Sequence, residues 1–158
     1  MRKILIIVVL AALCVIPARG DGPPAHPTGV AIKKIKVIVR TGDDFGASTE
    51  EAVWFSLGPS YEWTLVQPDK PSFRNGAIDV FDLSPHGLRI EDIKYVKLRK
   101  SYGHDWLLQS IEVWIDGKPY YRNSEINMWL EGQKLEWIAP NFPPPVKTHP
   151  AASPAPAH

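Results

Sequence analysis

Thr41-Gly42-Asp43-Asp44-Phe45-Gly46-Ala47-Ser48-Thr49-Glu50-Glu51 lies between two alternating runs. Before it, Ile35, Val37 and Val39 alternate with Lys36, Ile38 and Arg40; after it, Val53, Phe55 and Leu57 alternate with Ala52, Trp54 and Ser56. A period of two sends neighbouring side chains to opposite faces, so both runs read as half-buried strands. The loop between them has two readings. Its glycines, aspartates and hydroxyl residues suit a plain turn. The same carboxylate and carbonyl oxygens are also the ligand type that a hard cation such as calcium takes.

Working outward, the same pattern recurs. Strands are expected over residues 31–40, 52–57, 61–67, 77–83, 94–100, 108–116, 119–121 and 135–138. Turn signals separate them: Gly58-Pro59-Ser60, Pro68-Asp69-Lys70-Pro71, Asn75-Gly76 and Asp116-Gly117, the last two being strong hairpin dipeptides. Residues 90–93 are too short to assign, and 124–130 reads as a helical turn or an irregular segment. No long helical period occurs. Short strands with turns every eight to twelve residues point to an all-β sandwich.

The two ends have a different composition. Arg2 and Lys3 precede an apolar run from Ile4 to Ile16, and Ala18-Arg19-Gly20 supplies small residues for a peptidase. Residues 1–20 therefore read as a secretory signal peptide cut near Gly20/Asp21, which makes the mature chain secreted or periplasmic. Cys14, the single cysteine, falls inside that run, so the mature chain has no disulfide and depends on its core. Residues 21–30 read as a flexible leader, 31–138 as the folded domain, and 139–158 as a Pro-rich disordered tail with seven prolines in twenty residues.

Several function classes fall away on these grounds. Eighteen Lys and Arg balance 17 Asp and Glu, which gives no support to nucleic-acid binding through bulk charge. The five histidines lack metal-ligand spacing to one another, and no Gly-x-Ser-x-Gly elbow occurs. His104-Asp105 is a poor dyad because adjacent residues point apart. An enzyme is not expected.

Four motifs in order carry a family resemblance. Val37-Ile38-Val39-Arg40-Thr41-Gly42-Asp43 followed by Gly46-Ala47-Ser48-Thr49, then Phe73-Arg74-Asn75-Gly76-Ala77-Ile78-Asp79-Val80-Phe81, then Asp105-Trp106-Leu107-Leu108-Gln109-Ser110-Ile111-Glu112-Val113, and finally Asn127-Met128-Trp129-Leu130 resemble a PLAT/LH2 domain. The pattern is similar to the C-terminal domain of clostridial phospholipase C toxins. The resemblance implies an eight-stranded antiparallel β-sandwich that binds lipid or membrane surfaces, or a protein partner. It also implies calcium at one end of the sandwich, with Asp43, Asp44, Ser48, Thr49 and Asp105 as the metal ligands. The chain departs from the family pattern at Ser48 and at Glu50-Glu51, and Gly46 stands where the toxins carry an aspartate.

The loop residues Phe45, Tyr102, His104 and Trp106 are the membrane- or ligand-binding candidates. An aromatic at a loop tip suits a headgroup region, although Trp106 is equally readable as the buried first residue of its strand. A basic run of Lys94, Lys97, Arg99 and Lys100 reads either as an attraction to anionic lipid or as a solvated strand face. Two other functions stay open: an accessory protein-interaction subunit of a secreted enzyme, and a carbohydrate-binding sandwich with Trp54 or Trp114 as stacking platforms. Trp129 and Trp137 are expected in the core.

Overall fold

Hydrogen-bonded alternation closes into two facing antiparallel sheets in the computed structural model, which describes residues 29–140 and 142. The expected signal peptide lies outside those residues, as do most of the leader and of the Pro-rich tail. The strands are β1 (Ile35–Thr41), β2 (Val53–Ser56), β3 (Glu62–Thr64), β4 (Ile78–Leu83), β5 (Lys97–Lys100), β6 (Trp106–Ile115), β7 (Lys118–Asn123), β8 (Met128–Leu130) and β9 (Glu136–Ile138). One sheet runs β4-β1-β6-β7 with β8 also on β6; the other runs β3-β2-β5-β9.

The sandwich follows from what each strand buries. Ile35, Val37 and Val39 of β1, Phe81 of β4 and Ile111, Val113 and Ile115 of β6 point inward from the first sheet. Val53 and Phe55 of β2, Trp63 of β3, Leu98 of β5 and Trp137 of β9 meet them from the second. Alternation with one wet face is the ordinary pattern of an antiparallel sheet. Aromatics close both flanks. The Trp63 Nε1–H donates to the Ser84 carbonyl at 2.8 Å beside β4. Opposite, Tyr121 of β7 and Trp137 of β9 lie 6.3 Å apart, and Phe142 packs 6.1 Å from Tyr121.

β6 is the spine. Its ten residues pair with β1 from Leu108 to Ile115, with β8 over Trp106–Leu108 and with β7 over Ile111–Ile115. The strand therefore starts two residues earlier than the alternation suggested. The segment left between helical turn and irregular structure supplies β8, giving nine strands where the resemblance implies eight. Residues 90–92 form one 3-10 turn. β1 and β3 are shorter than expected, because strand ends are set by ladder partners rather than by side-chain periodicity.

β4 turns two aliphatic side chains outward and an acid inward. Ile78 and Val80 point outward at 57% and 43% exposure, while Asp79 between them is buried. Asp79 is drawn in because its Oδ2 accepts the Phe73 N–H at 2.7 Å. Phe73 has a positive φ of 58°, and its ring meets Phe81 and Trp106 at 5.7 and 5.0 Å. The carboxylate thus holds a strained aromatic corner in place.

Candidate functional site at the loop end

The opening loop is tied to two neighbours through its backbone. Thr41 N–H donates to the Ala77 carbonyl at 3.0 Å, Gly76 N–H to the Gly42 carbonyl at 2.8 Å, and Thr49 N–H to the Phe73 carbonyl at 3.1 Å. On the other side, Gly42 N–H donates to Leu107 O at 2.8 Å and Leu107 N–H to Ala47 O at 3.1 Å. The Asn75 side-chain amide adds a bond to Asp44 O at 3.1 Å. Close approach at Gly42 is obligatory, since a Cβ there would fall 2.6 Å from Leu107 Cγ. Loops 41–49, 73–77 and 101–107 therefore form one end of the sandwich; the resemblance implied the first and the last of these, and the 73–77 loop joins them.

At the tip, Ala47 N–H closes a turn onto Asp44 O at 3.0 Å, with Gly46 at a φ of +80°. This turn leaves Phe45 101% exposed. Tyr102 on the neighbouring loop is 76% exposed. Both tip aromatics named from the sequence thus stand in water.

Trp106 does not join them. It is wholly buried, set edge-on to Phe73, with Nε1–H donating to the buried Thr41 hydroxyl at 3.0 Å. As the first residue of β6 it points into the core, where its large apolar surface is removed from water. The headgroup reading of Trp106 is therefore corrected. Its role is to anchor the base of the loop from which Phe45 projects.

His104 is exposed and belongs to a polar strap. Glu51 accepts the His104 N–H and the ring Nδ1, both at 3.3 Å, and the Ser101 hydroxyl at 3.2 Å. The His104 backbone amide, helped by the Ser101 hydroxyl and the imidazole and opposed by partial burial, holds the Glu51 carboxyl below its usual value of 4.5. A depressed carboxyl stabilises the fold above its unfolded value, and this contribution fades as pH falls through the folded value. The hydrogen-exchange protection factor of the His104 amide, which Glu51 accepts, should therefore hold above pH 4.5 and fall in more acid solution, ahead of protection in β6. Gly103, at a φ of +143°, packs on this carboxylate, and a Cβ would collide with it. Gly103→Ala should cost about 1–3 kcal/mol in urea unfolding, from backbone strain and the displaced strap.

Of the five residues named for calcium, the three aspartates do not gather as a metal site among the described residues. Asp43, Asp44 and Asp105 are exposed, Ser48 is half-buried and Thr49 is buried. The Thr49 hydroxyl accepts the Glu51 N–H at 3.2 Å. Among the described residues no three His, Cys, Asp or Glu side chains gather as a metal site. Calcium needs six or more oxygens, so these side chains do not form a ready ligand set. What they do form is an acidic rim, since none of the three aspartates takes an ion pair among the described residues.

The basic run is no free patch. Arg99 grips Glu62 with two hydrogen bonds, at 2.6 and 3.0 Å, which lowers the Glu62 carboxyl. Its guanidinium also stacks 4.0 Å over the Trp54 ring. Lys97 faces Glu136 at 3.7 Å, Lys94 Nζ donates to Glu91 O at 2.7 Å, and Lys100 is buried with Nζ on Ser101 O at 3.1 Å. On the second sheet Lys97 and Arg99 are thus ion-paired, Lys94 and Lys100 are taken up by backbone carbonyls, and Trp54 is covered. Trp114 is half-buried and donates to Glu112 at 3.3 Å, so neither tryptophan offers an unobstructed stacking platform. Trp137 is in the core as expected; Trp129 is only half-buried, on β8 opposite Leu107.

Comparison with known proteins agrees with this architecture. Alpha toxin from Clostridium absonum superposes with a TM-score of 0.60 at 20% identity, over 68% of this chain and 31% of the toxin. Clostridium perfringens alpha-toxin from an avian strain gives 0.58 at 23% identity, over 67% and 31%. Coral 8R-lipoxygenase, described as activated by calcium through a C2-like domain, gives 0.52 at 16% identity, over 66% of this chain and 16% of the enzyme. The chain thus matches less than a third of each of these longer proteins. No curated protein sequence matches it significantly. The PLAT/LH2 domain family model matches residues 35–139, the span that holds all nine strands, and the chain belongs to the PLAT/LH2 domain family.

Proposed function

We propose that this chain is a non-catalytic, exported module that meets a lipid surface end-on, with Phe45 and Tyr102 entering the headgroup region. Phe45 carries the reading: an aromatic side chain wholly in water, on a loop pinned by backbone hydrogen bonds on both sides. Burial of such a side chain is worth about 1.5–3 kcal/mol, and little loop entropy remains to be lost on docking. Support for a module apart from chemistry comes from the small share, 16%, of the lipoxygenase that the match covers. The expected signal peptide at residues 1–20 supports a secreted or periplasmic site of action.

The rim of Asp43, Asp44 and Asp105 decides which surface fits. Unpaired carboxylates repel anionic lipid, so docking favours a zwitterionic surface. Because the three candidate aspartates do not gather as a metal site among the described residues, no step of this docking is routed through calcium. Co-sedimentation of the mature chain with phosphatidylcholine vesicles, in calcium and in chelator, tests the reading. Binding is expected in both conditions, and should weaken when phosphatidylserine is added in chelator. Negligible binding to every vesicle in either condition would discard the reading.

A further inference from the structure

The outer face of the first sheet is unlike the loop end in charge and in shape. Cross-strand register sets Ile78, Arg40 and Ser110 in one row, Val80, Ile38, Glu112 and Arg122 in the next, and Asp82, Lys36 and Trp114 in the third. Two of the cations are neutralised, Arg122 by Glu112 at 3.2 Å and nearby Lys34 by Asp82 at 3.2 Å. Arg40 and Lys36 take no ion pair among the described residues. The face therefore carries two uncompensated positive charges, in contrast to the acidic rim at the tip.

A groove of 220 Å³ opens around Arg40, with Ile38 and Ile78 on its walls and Gln109, Ser110 and Ser124 among its polar lining. It is smaller than the ~300–1,000 Å³ of a site for a drug-sized molecule, and has room for one or two side chains. The Gln109 Oε1 is shut off from solvent and accepts no hydrogen bond, a costly state for a buried acceptor. Exposed Ile78 and Val80 flank the guanidinium. The Gln67 amide donates to Val80 O at 3.1 Å, so the edge of β4 is capped at that point and a partner uses the face rather than adding a strand.

We propose that this face binds an extended acidic–aliphatic peptide segment of a protein partner, with an Asp or Glu of the peptide on Arg40. A carboxylate satisfies the planar guanidinium through paired hydrogen bonds. Branched aliphatic side chains at the neighbouring peptide positions cover Ile78, Val80 and Ile38. A sugar would want a flat aromatic platform, and the walls here are aliphatic. An anionic lipid surface would satisfy Arg40 and Lys36 but sets headgroups, not branched aliphatic groups, against exposed Ile78 and Val80.

The test is selection of random heptapeptides displayed on phage against the mature chain, followed by titration of the enriched peptide into 15N-labelled protein. The expected consensus is one acidic residue flanked by Val, Ile or Leu. Its titration should move the Gln109 side-chain amide and the Arg40 Nε resonance. Arg40→Gln and, independently, Ile78→Ser should each weaken binding at least about tenfold. Both residues are exposed on a sheet face, and unchanged thermal unfolding of each variant confirms that the fold is kept. No enrichment, a basic consensus, or equal binding by both variants would overturn the proposal. Loss of oligogalacturonate or phosphatidylserine-vesicle binding in Arg40→Gln, with no peptide selected, would instead assign the face to a glycan or to lipid.

Discussion

Trp106→Ala should destabilise the folded chain by about 3–5 kcal/mol, the range found for deleting a large buried aromatic. The side chain is wholly buried, so its removal leaves a cavity at the base of the loop end. The edge-on contact with Phe73 at 5.0 Å is lost, and the buried Thr41 hydroxyl loses the indole N–H that it accepts at 3.0 Å. Urea unfolding followed by tryptophan fluorescence measures the effect, with Trp106→Phe as the milder comparison that refills most of the cavity. A change below 1 kcal/mol for Trp106→Ala would show that the ring sits at the surface after all. The folded fraction should keep its affinity for vesicles, since Phe45 and Tyr102 are untouched.

The second large effect runs the other way. Phe45→Ala should weaken binding to phosphatidylcholine vesicles by about 10- to 100-fold, from the loss of 1.5–3 kcal/mol of apolar burial. Adding Tyr102→Ala should reduce it further. Neither change should move unfolding by more than about 0.5 kcal/mol, because both side chains are exposed and make no core contact. Two neighbouring positions thus separate stability from binding: Trp106 changes the first and Phe45 the second. Equal vesicle binding by wild type and Phe45→Ala would remove the loop tip from the docking surface.

This separation also shows where reading the chain stops. Asp105-Trp106 and Asp43-Asp44-Phe45 look alike as sequence, each an acid beside an aromatic next to a strand. The ladder between β6 and β8 decides their fates. Trp106 is the first paired residue of β6, opposite Leu130, and its side chain turns inward. Phe45 lies in a turn closed by Ala47 N–H and Asp44 O, with no ladder to orient it, and its ring stays in water. The basic run shows the same limit. Lys97 and Arg99 are outward, as alternation required, but their carboxylate partners Glu136 and Glu62 come from strands distant in sequence.

The amino-acid sequence by itself determined the all-β class and the order of the motifs. The class rests on two-residue periodicity and turn chemistry, which act between near neighbours, whereas the shared end of the 41–49 and 101–106 loops was implied by the family resemblance that the motifs carry. The inward faces of β1, β2, β5 and β6 were legible for the same reason, since each strand sorts apolar from polar side chains along its own length. Only the tertiary structure decided which aromatics are core and which are tip, that Asp79 is buried while Ile78 and Val80 are not, and that the carboxylates named for calcium do not gather as a metal site among the described residues. Side-chain periodicity does not encode the contacts responsible: the Phe73 N–H, across a tight corner, for Asp79, and Thr41, on another strand, for Trp106. The loop first read as a turn or a cation cradle is a turn whose backbone is held by both neighbours, and what it presents to solvent is a phenylalanine.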